Sequence, residues 1–330
     1  MRFVPYHELN DSTPNIIVDG AAGPGTVLTL SHWPKSGTPE ALKRDTSGEI
    51  VFAYLDSPAS HVAAEIASNN HFDEDGLIGI YELIEPAMAE KHRALLFDAA
   101  QAGDFGVYQR REAARIAFAI SAYADSSTSP LPAEIFAMPY LPMCGELYRR
   151  ILEVLPAMLT NVADFRQLWE GEDEKLSSSD ELIDRGVITI EERPELDLAV
   201  VRLPRDLAAQ SVHFTQRRLE ECHPFVLHSR TKCGRILMVQ GERVSLQYRY
   251  ESWVQVVSRR VLPRVDLKPF AKELNREESS GGKWVFDGVE RITPRLDLEG
   301  SGASSIAAGS IQKRLEGFLA TAPAAWNPFD

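Results

Sequence analysis

The sequence has few cysteines, no long apolar run and no apolar leader, and each absence narrows the class of protein. Only Cys144, Cys222 and Cys233 occur in 330 residues, an odd number that is too small for a disulfide framework. No apolar stretch approaches the roughly 20 residues that a membrane helix needs. The segment from Met1 to Glu8 lacks the apolar core of a secretory signal. We therefore expect a protein of the reducing cytoplasm.

Basic residues are also in deficit, and the formal net charge is −13. A protein that binds duplex nucleic acid along an extended face normally carries a basic excess, so we expect no duplex nucleic acid as a partner. A small anionic ligand stays compatible with this balance, because a few local cations or metal ions reverse the field inside a cleft. We expect a small phosphorylated or nucleotide-like ligand and no membrane contact, and a homodimer is compatible with the sequence.

The length and the order of the predicted elements indicate two domains in an α/β fold. At roughly 100–200 residues per domain, 330 residues favour two. Apolar strands alternate with helices in the first half, which predicts a mostly parallel N-terminal sheet flanked by helices, and strands prevail after it, which predicts a smaller α+β C-terminal domain. We expect a metal-binding catalytic domain at 1–125, a helical connector at 126–185 and a substrate-binding domain at 186–330.

Hydrophobic periodicity gives approximate bounds for these elements. Strands are predicted at 15–19, 26–30, 62–67, 187–191, 196–203, 235–240 and 243–251. Helices are predicted behind the capping box Thr46–Glu49 and at 77–84, 87–102, 112–123 and 146–159. Gly103 is interpreted as a helix stop. The acidic and serine-rich segment 170–184 is interpreted as an exposed connection.

The segment His71-Phe72-Asp73-Glu74-Asp75-Gly76 gives the strongest indication of chemistry. It places an imidazole and two carboxylates within five residues, between a predicted strand and a predicted helix. Carboxylates suit hard ions such as Mg²⁺, and an imidazole shifts the preference toward Mn²⁺. Two such ions can activate water and neutralise charge on a phosphoryl group. The alternative is a helix cap, in which Asp75 caps the following helix and the other side chains are solvated.

Four further residues in the first 105 positions are candidate metal ligands. Asp19 ends one predicted strand, His32 follows another, and Asp98 and Asp104 bracket a short alanine-rich segment. Polar groups that follow parallel strands gather at the carboxyl edge of the sheet. Taken singly, each residue is more often a surface or capping residue. Their joint occurrence favours a site shared with the His71–Gly76 motif.

Two other clusters give weaker indications. Lys35 opens a loop whose cation, hydroxyls and backbone amides suit phosphate, although the loop lacks the Walker spacing and simple turns often have this composition. No Gly-x-Ser-x-Gly elbow of a serine hydrolase occurs in the sequence. The second cluster is a candidate zinc site, although the sequence has no Cys-x-x-Cys pair. Its possible ligands are Cys222, His223, His228 and Cys233.

The chain resembles the DHH phosphoesterase superfamily in two or three short segments. The His71–Gly76 motif is similar to that family's first metal-binding motif, a strand that ends in His and two spaced Asp. The second half resembles the family's accessory domain, where a strand with a substrate-binding Arg precedes a short helix and a glycine-rich phosphate-binding loop. The corresponding segments here are Val244–Arg249, Val265–Leu274 and Gly281–Lys283. The resemblance implies that Arg249 and Lys283 anchor the substrate.

The chain departs from that family in the order and identity of the other motifs. No Asp-His-His triplet occurs, and its nearest analogues, Asp19 and His32, precede the first motif instead of following it. Either the elements are permuted in this chain or the likeness is partly accidental. The accessory loop reads Gly-Gly-Lys-Trp in place of Gly-Gly-Gly-His, which leaves open a cleft that binds without cleaving.

The sequence-based hypothesis is a metal-dependent phosphoesterase that hydrolyses a small phosphorylated or nucleotide-like substrate in an interdomain cleft. His71, Asp73 and Asp75 form its catalytic core and hold Mn²⁺ or Mg²⁺, with Asp19 and either Asp98 or Asp104 as supplementary ligands. One rival is a ligand-binding or regulatory protein that keeps the cleft and has lost hydrolysis. The other is an unrelated α/β hydrolase or transferase in which the acidic loop merely caps a helix.

Overall fold

Two larger β-sheets organise the chain, and the first is small, parallel and buried. A computed structural model describes residues 1–212 and 218–330. The first sheet has the strand order β1-β4-β2-β3, and all neighbouring pairs are parallel. β2 is buried along its whole length, as an apolar run predicts for an inner parallel strand. The strands are β1 (Arg2–Phe3), β2 (Asn15–Val18), β3 (Thr26–Leu30) and β4 (Ile66–Ser68).

Five helices accompany these strands in the first half of the chain. They are α1 (Ser47–Leu55), α2 (Glu74–Ile84), α3 (Pro86–Lys91), α4 (Arg93–Phe105) and α5 (Arg111–Ala124). The capping box predicted for α1 is confirmed, because the Thr46 side chain accepts from the Glu49 backbone and the Glu49 side chain accepts from the Thr46 backbone. α2 lies so close to β2 that a Cβ atom on Gly79 would meet Val18 Cγ1 at 2.6 Å, so a side chain there forces the two elements apart.

The single helix predicted at 87–102 is two helices, and its predicted stop is wrong. The break falls at His92, between α3 and α4. α4 continues through Gly103 and is capped by Gly106, whose φ of 65° is the left-handed conformation that terminates helices. Gly103 has a packing role instead: a Cβ atom there would meet Glu74 Cβ at 2.3 Å, so the absence of a side chain lets α4 approach α2.

Three helices connect the two sheets: α6 (Ala133–Phe136), α7 (Tyr140–Thr160) and α8 (Arg166–Asp184). The expectation that 170–184 is an exposed connection is therefore wrong. The buried residues of α8 repeat at intervals of three and four, at Trp169, Glu172, Leu176 and Ser179. Asp173 on the same helix forms ion pairs with Arg111 and Arg115 of α5. Two of these four buried residues are polar, and the apolar residues alone therefore do not show the helical period of the segment.

The second sheet has six strands: β5 (Thr189–Arg193), β6 (Leu198–Leu203), β9 (Arg235–Gln240), β10 (Arg243–Tyr248), β12 (Lys283–Phe286) and β13 (Arg295–Glu299). Their order in the sheet is β12-β13-β10-β9-β6-β5, and adjacent strands are antiparallel except for the parallel pair β6 and β9. Two short antiparallel pairs accompany it, β7 (Gln210–Val212) with β8 (Arg218–Glu220) and β11 (Arg264–Val265) with β14 (Ala324–Trp326). The remaining helices are α9 (Pro224–Arg230), α10 (Lys268–Leu274) and α11 (Ala308–Thr321).

Two hydrophobic cores meet on opposite faces of the second sheet. Ala199 and Val201 of β6 belong to the core of the first sheet and its helices. Leu198 and Val200 of the same strand belong to the core beneath α10 and α11. Since side chains alternate along a strand, β6 is buried on both faces and joins the two halves. The protein is thus an α/β fold with a second, mixed sheet, and no helix within the described residues is long and apolar enough to cross a membrane.

Candidate metal centre

The candidate ligands lie at one edge of the first sheet. β2 ends directly before Asp19, β3 ends two residues before His32, and β4 ends three residues before His71. Because these strands are parallel, their carboxyl ends meet at the same edge and the loops that follow converge. Asp19 has a φ of 46°, a left-handed conformation that turns the chain sharply where the strand ends. The structure therefore brings Asp19, His32 and the His71–Gly76 motif together.

The two aspartates of the motif are held by two different helices. Asp73 is the N-cap of α2, since its Oδ1 accepts from the Gly76 N–H at 2.8 Å. Asp75, the residue that the helix-cap alternative assigned to this role, does not cap α2. Its two oxygens accept from the backbone N–H groups of Ser47 at 2.6 Å and Gly48 at 2.8 Å. The positive end of α1 thus supports a negative charge on Asp75.

Two sets of three side chains have the spacing of metal ligands, and both contain Asp19. One set is Asp19, His32 and Asp75, the other is Asp19, His71 and Asp73, and the ligand atoms of each set lie within 4.8 Å of one another. The two oxygens of Asp19 face different sets. Oδ1 lies 3.4 Å from His32 Nε2, and Oδ2 lies 3.3 Å from His71 Nε2. A carboxylate shared between two sets is the arrangement that a two-metal site requires.

Asp104 contacts His32 of the first set, whereas Asp98 does not contact either set. Asp104 Oδ2 lies 3.4 Å from His32 Nε2. Asp98, also predicted as a ligand, belongs to neither of the two sets. Its oxygens accept from the backbone N–H groups of Gln109 and Arg110 at 2.7 and 2.8 Å. The two aspartates are six residues apart on α4, about 240° around the helix, so they face different surroundings. Asp98 instead anchors the turn into α5.

Both histidines present Nε2 to the centre. His32 Nδ1 lies 2.6 Å from the carbonyl oxygen of Asp45, which can only accept, so the neutral ring carries its proton on Nδ1 and its lone pair on Nε2. His71 Nε2 lies 2.8 Å from Asp73 Oδ2, and its Nδ1 lies 3.4 Å from Asn70 Oδ1. A hydrogen bond on the far nitrogen fixes the tautomer and orientation of a metal-binding histidine in the same way.

Burial and mutual repulsion shift the pKa values of the clustered groups in opposite directions. Burial, reinforced by the charge of Asp19, raises the pKa of Asp75 to about 7. Burial and the neighbouring carboxylates raise the pKa of Asp104 well above its ordinary value. Burial alone would also raise the pKa of Asp19, but its contacts with His32 and His71 outweigh burial and hold that pKa below its ordinary value. The cluster therefore contains more carboxyl groups than its two imidazoles can neutralise.

This donor set fits a pair of divalent cations. With both imidazoles neutral, the four carboxylates Asp19, Asp73, Asp75 and Asp104 carry four negative charges, and two divalent ions carry four positive ones. Asp19 Oδ2 and Asp104 Oδ2 are buried and have no hydrogen-bond partner in the part of the chain that the structure describes. Such an acceptor costs about 1–3 kcal/mol when unsatisfied, and a coordinated cation satisfies it.

The three predicted substrate-binding residues do not share one location. The prediction for Arg249 is wrong: its side chain is 1 % exposed, forms an ion pair with Glu251 and donates to the carbonyl oxygens of His228 and Thr231. Lys283 begins β12, the outer strand of the second sheet. Lys35 is exposed in the loop that follows His32 and has a φ of 59°.

The zinc alternative has no support among the described residues, where the only two ligand sets are those that contain Asp19. His223 instead caps α9 by accepting from the Phe225 N–H, and its Nε2 lies 3.3 Å from Glu172 Oε2. His228 Nδ1 lies 2.8 Å from the Phe105 carbonyl oxygen. Both histidines thus have structural partners.

Several residues around the centre escaped the sequence analysis. Ser47 Oγ donates to Asp19 Oδ1 at 2.7 Å, and Ser47 is recognisable only as the first residue behind the capping box. Trp33 packs on the His71 ring with centroids 5.0 Å apart. Tyr250 Oη lies 3.3 Å from His32 Nε2, although 218 positions separate the two residues in the sequence. The second half of the chain therefore contributes to the wall of the centre.

Comparison with known proteins gives one finding. A family model described as Family of unknown function (DUF6687) matches residues 1–330. No curated protein and no solved structure gives a significant match, so the resemblance to the DHH phosphoesterases stays a prediction. Because the match covers the whole sequence, the chain belongs to the DUF6687 family.

Proposed function

We propose that this protein is a metal-dependent phosphoesterase that acts on a small phosphorylated or nucleotide-like substrate. The observation that carries the proposal is the position of Asp19, whose two oxygens face two separate sets of ligand atoms. Two-metal sites bridged in this way serve phosphatases and nucleases. The resemblance of the His71–Gly76 motif to the DHH phosphoesterases points to the same class of reaction.

The residues that would hold the ions are the two sets around Asp19, with Asp104 beside His32. A mixed set of imidazole nitrogens and carboxylate oxygens favours Mn²⁺ over Mg²⁺. When bound, such ions supply a nucleophile at neutral pH and neutralise the charge of the phosphoryl group. The protein's own contribution is to fix the ligands: α1 and α2 hold Asp75 and Asp73 through backbone N–H groups.

The centre is accessible on one side only. The side chains of His71 and Asp73 are 18 % and 24 % exposed, whereas those of Asp19, His32 and Asp104 are at most 4 % exposed. A substrate therefore approaches over His71 and Asp73. The Trp33 ring packs against His71 beside this opening. Lys35, exposed in the same loop, is a candidate cation for an anionic substrate.

The test removes the shared ligand without changing its shape. Asp19→Asn keeps an oxygen that accepts from Ser47 Oγ but loses the carboxylate that both sets share. We expect the wild type to bind about two Mn²⁺ ions and to hydrolyse a generic phosphodiester such as bis-p-nitrophenyl phosphate, and the variant to do neither. Asp56→Asn is the matched control, because Asp56 is 54 % exposed and pairs with Arg93 at the far end of α1.

The outcomes separate this proposal from its rivals. A folded wild type that binds no divalent ion contradicts the proposal and leaves the acidic loop as a structural feature. Metal binding without turnover of phosphomonoesters or phosphodiesters indicates the ligand-binding rival instead. Equal metal binding by the wild type and Asp19→Asn shows that the ions are held elsewhere.

A further inference from the structure

Tyr250 is the side chain through which the second half of the chain reaches the metal centre. It lies two residues beyond the end of β10 and is the first residue of a short turn over Tyr250–Ser252. Its ring packs against the His32 ring edge to face, with centroids 5.7 Å apart. The Gln255 N–H also donates to the His32 carbonyl oxygen at 2.8 Å. The backbone on both sides of the contact is thus tied to the loop that carries His32.

The contacts of the Tyr250 hydroxyl determine the direction in which its proton points. A phenol hydroxyl donates one hydrogen bond and also accepts. Trp33 Nε1, which can only donate, fills the acceptor position from 3.1 Å. The Tyr250 proton is therefore directed elsewhere, and His32 Nε2, at 3.3 Å, accepts it when the ring is neutral with its own proton on Nδ1.

That acceptor is the nitrogen that the proposed function assigns to a metal ion. His32 Nδ1 is committed to the Asp45 carbonyl oxygen, so Nε2 is the ring's only lone pair. Once Nε2 coordinates an ion, it no longer accepts from Tyr250. The Trp33 contact still holds the hydroxyl in place, so its proton is then directed at whatever lies beside the ion.

We propose that the Tyr250 hydroxyl donates a hydrogen bond to a phosphoryl oxygen of the ligand bound at the metal centre. The inference rests on the proposed function and adds to it a specific donor for the transferred group. A neutral donor suits this place, because a phosphoryl oxygen approaching four carboxylates needs partners that add no further negative charge. Arg249 and Glu251, a buried ion pair on either side of Tyr250, fix the position of the hydroxyl.

The test measures binding of inorganic phosphate to the Mn²⁺-loaded protein by titration calorimetry, with bound Mn²⁺ quantified in parallel. Tyr250→Phe removes the hydroxyl and keeps the ring. We expect its Mn²⁺ content to equal that of the wild type and its phosphate affinity to fall about 10- to 100-fold, the range for a hydrogen bond to a charged group.

Tyr248→Phe is the matched control. The Tyr248 hydroxyl is also buried, but it bonds to the Val265 backbone in the second core. Its loss costs stability of a similar kind, so we expect Tyr248→Phe to leave phosphate affinity unchanged. A lower phosphate affinity in both variants would be explained by general destabilisation and would overturn the proposal.

The remaining outcomes are equally decisive. Unchanged phosphate affinity in Tyr250→Phe overturns the inference while the proposed function stands. Loss of Mn²⁺ in Tyr250→Phe also overturns it, because the residue then serves to position His32. A wild type that takes up no Mn²⁺ removes the proposed function itself, and this is seen before either variant is made. A wild type that binds Mn²⁺ without phosphate overturns the inference alone.

Discussion

Replacing Arg249 by Met distinguishes a structural residue from a substrate anchor. The guanidinium is 1 % exposed, contacts Glu251 through two nitrogens and donates to the carbonyl oxygens of His228 and Thr231. Arg249→Met leaves the Glu251 carboxylate, itself 4 % exposed, without its main partner. Breaking a buried pair on one side costs about 3–5 kcal/mol, so we expect the free energy of unfolding to fall by about that amount.

Urea unfolding followed by circular dichroism measures this loss, and a double variant tests its cause. Arg249→Met with Glu251→Leu removes both charges, and replacement of a complete buried pair by apolar residues is often neutral. We therefore expect the double variant to regain more than half of the loss. A loss below about 1 kcal/mol in the single variant, together with weakened substrate binding, would refute this reasoning and restore Arg249 as the anchor predicted from the sequence.

Two further predictions concern the acids and the glycine beside the centre. In the metal-free protein, burial raises the pKa of Glu74 to about 8 and that of Glu82 well above its ordinary value of 4.5. Both groups therefore contribute their full stability below about pH 4.5, and these contributions decline as the pH rises above it. Glu82→Gln should therefore stabilise at about pH 8 and change little near pH 4.5, and urea midpoints that shift equally at both pH values contradict this. A Cβ atom in Gly76→Ala would meet Asn69 Nδ2 at 2.3 Å and Tyr148 Oη at 2.7 Å, so we expect a loss of about 1–3 kcal/mol and weaker Mn²⁺ binding by calorimetry; wild-type values for both would show that the loop adapts.

The parts of the site that the sequence predicted are those fixed by local rules. A polar residue directly after a buried parallel strand must lie at the carboxyl edge of the sheet, and this rule located Asp19, His32 and His71. The spacing of Asp73 before a helical pattern likewise located the N-terminus of α2. The same reasoning, applied to the 240° between Asp98 and Asp104, would have shown that one helix does not direct both to the same ions.

The parts that escaped prediction depend on long-range contacts or on turns. The period-two pattern of β10 continues to Tyr250 in the sequence, but the strand ends at Tyr248. A turn then buries Arg249, which the predicted strand over 243–251 had included. The role of Tyr250 depends on a partner 218 positions away, and no local pattern contains that information. The helical period of α8 was concealed because half of its buried stripe is polar.

Under the proposed function, the carboxyl groups at the sheet edge make the stability of the folded protein depend on the supply of cations. In the absence of cations, burial and mutual repulsion raise the pKa values of Asp75 and Asp104. A ligand that binds only the native state stabilises it by mass action, by about 2.7 kcal/mol at a hundred times its dissociation constant. A change of that size alters the unfolded population roughly a hundredfold, and with it the exposure of the chain to proteases. In the proposed function, the abundance of this protein in a cell follows manganese availability, apart from any effect of manganese on catalysis.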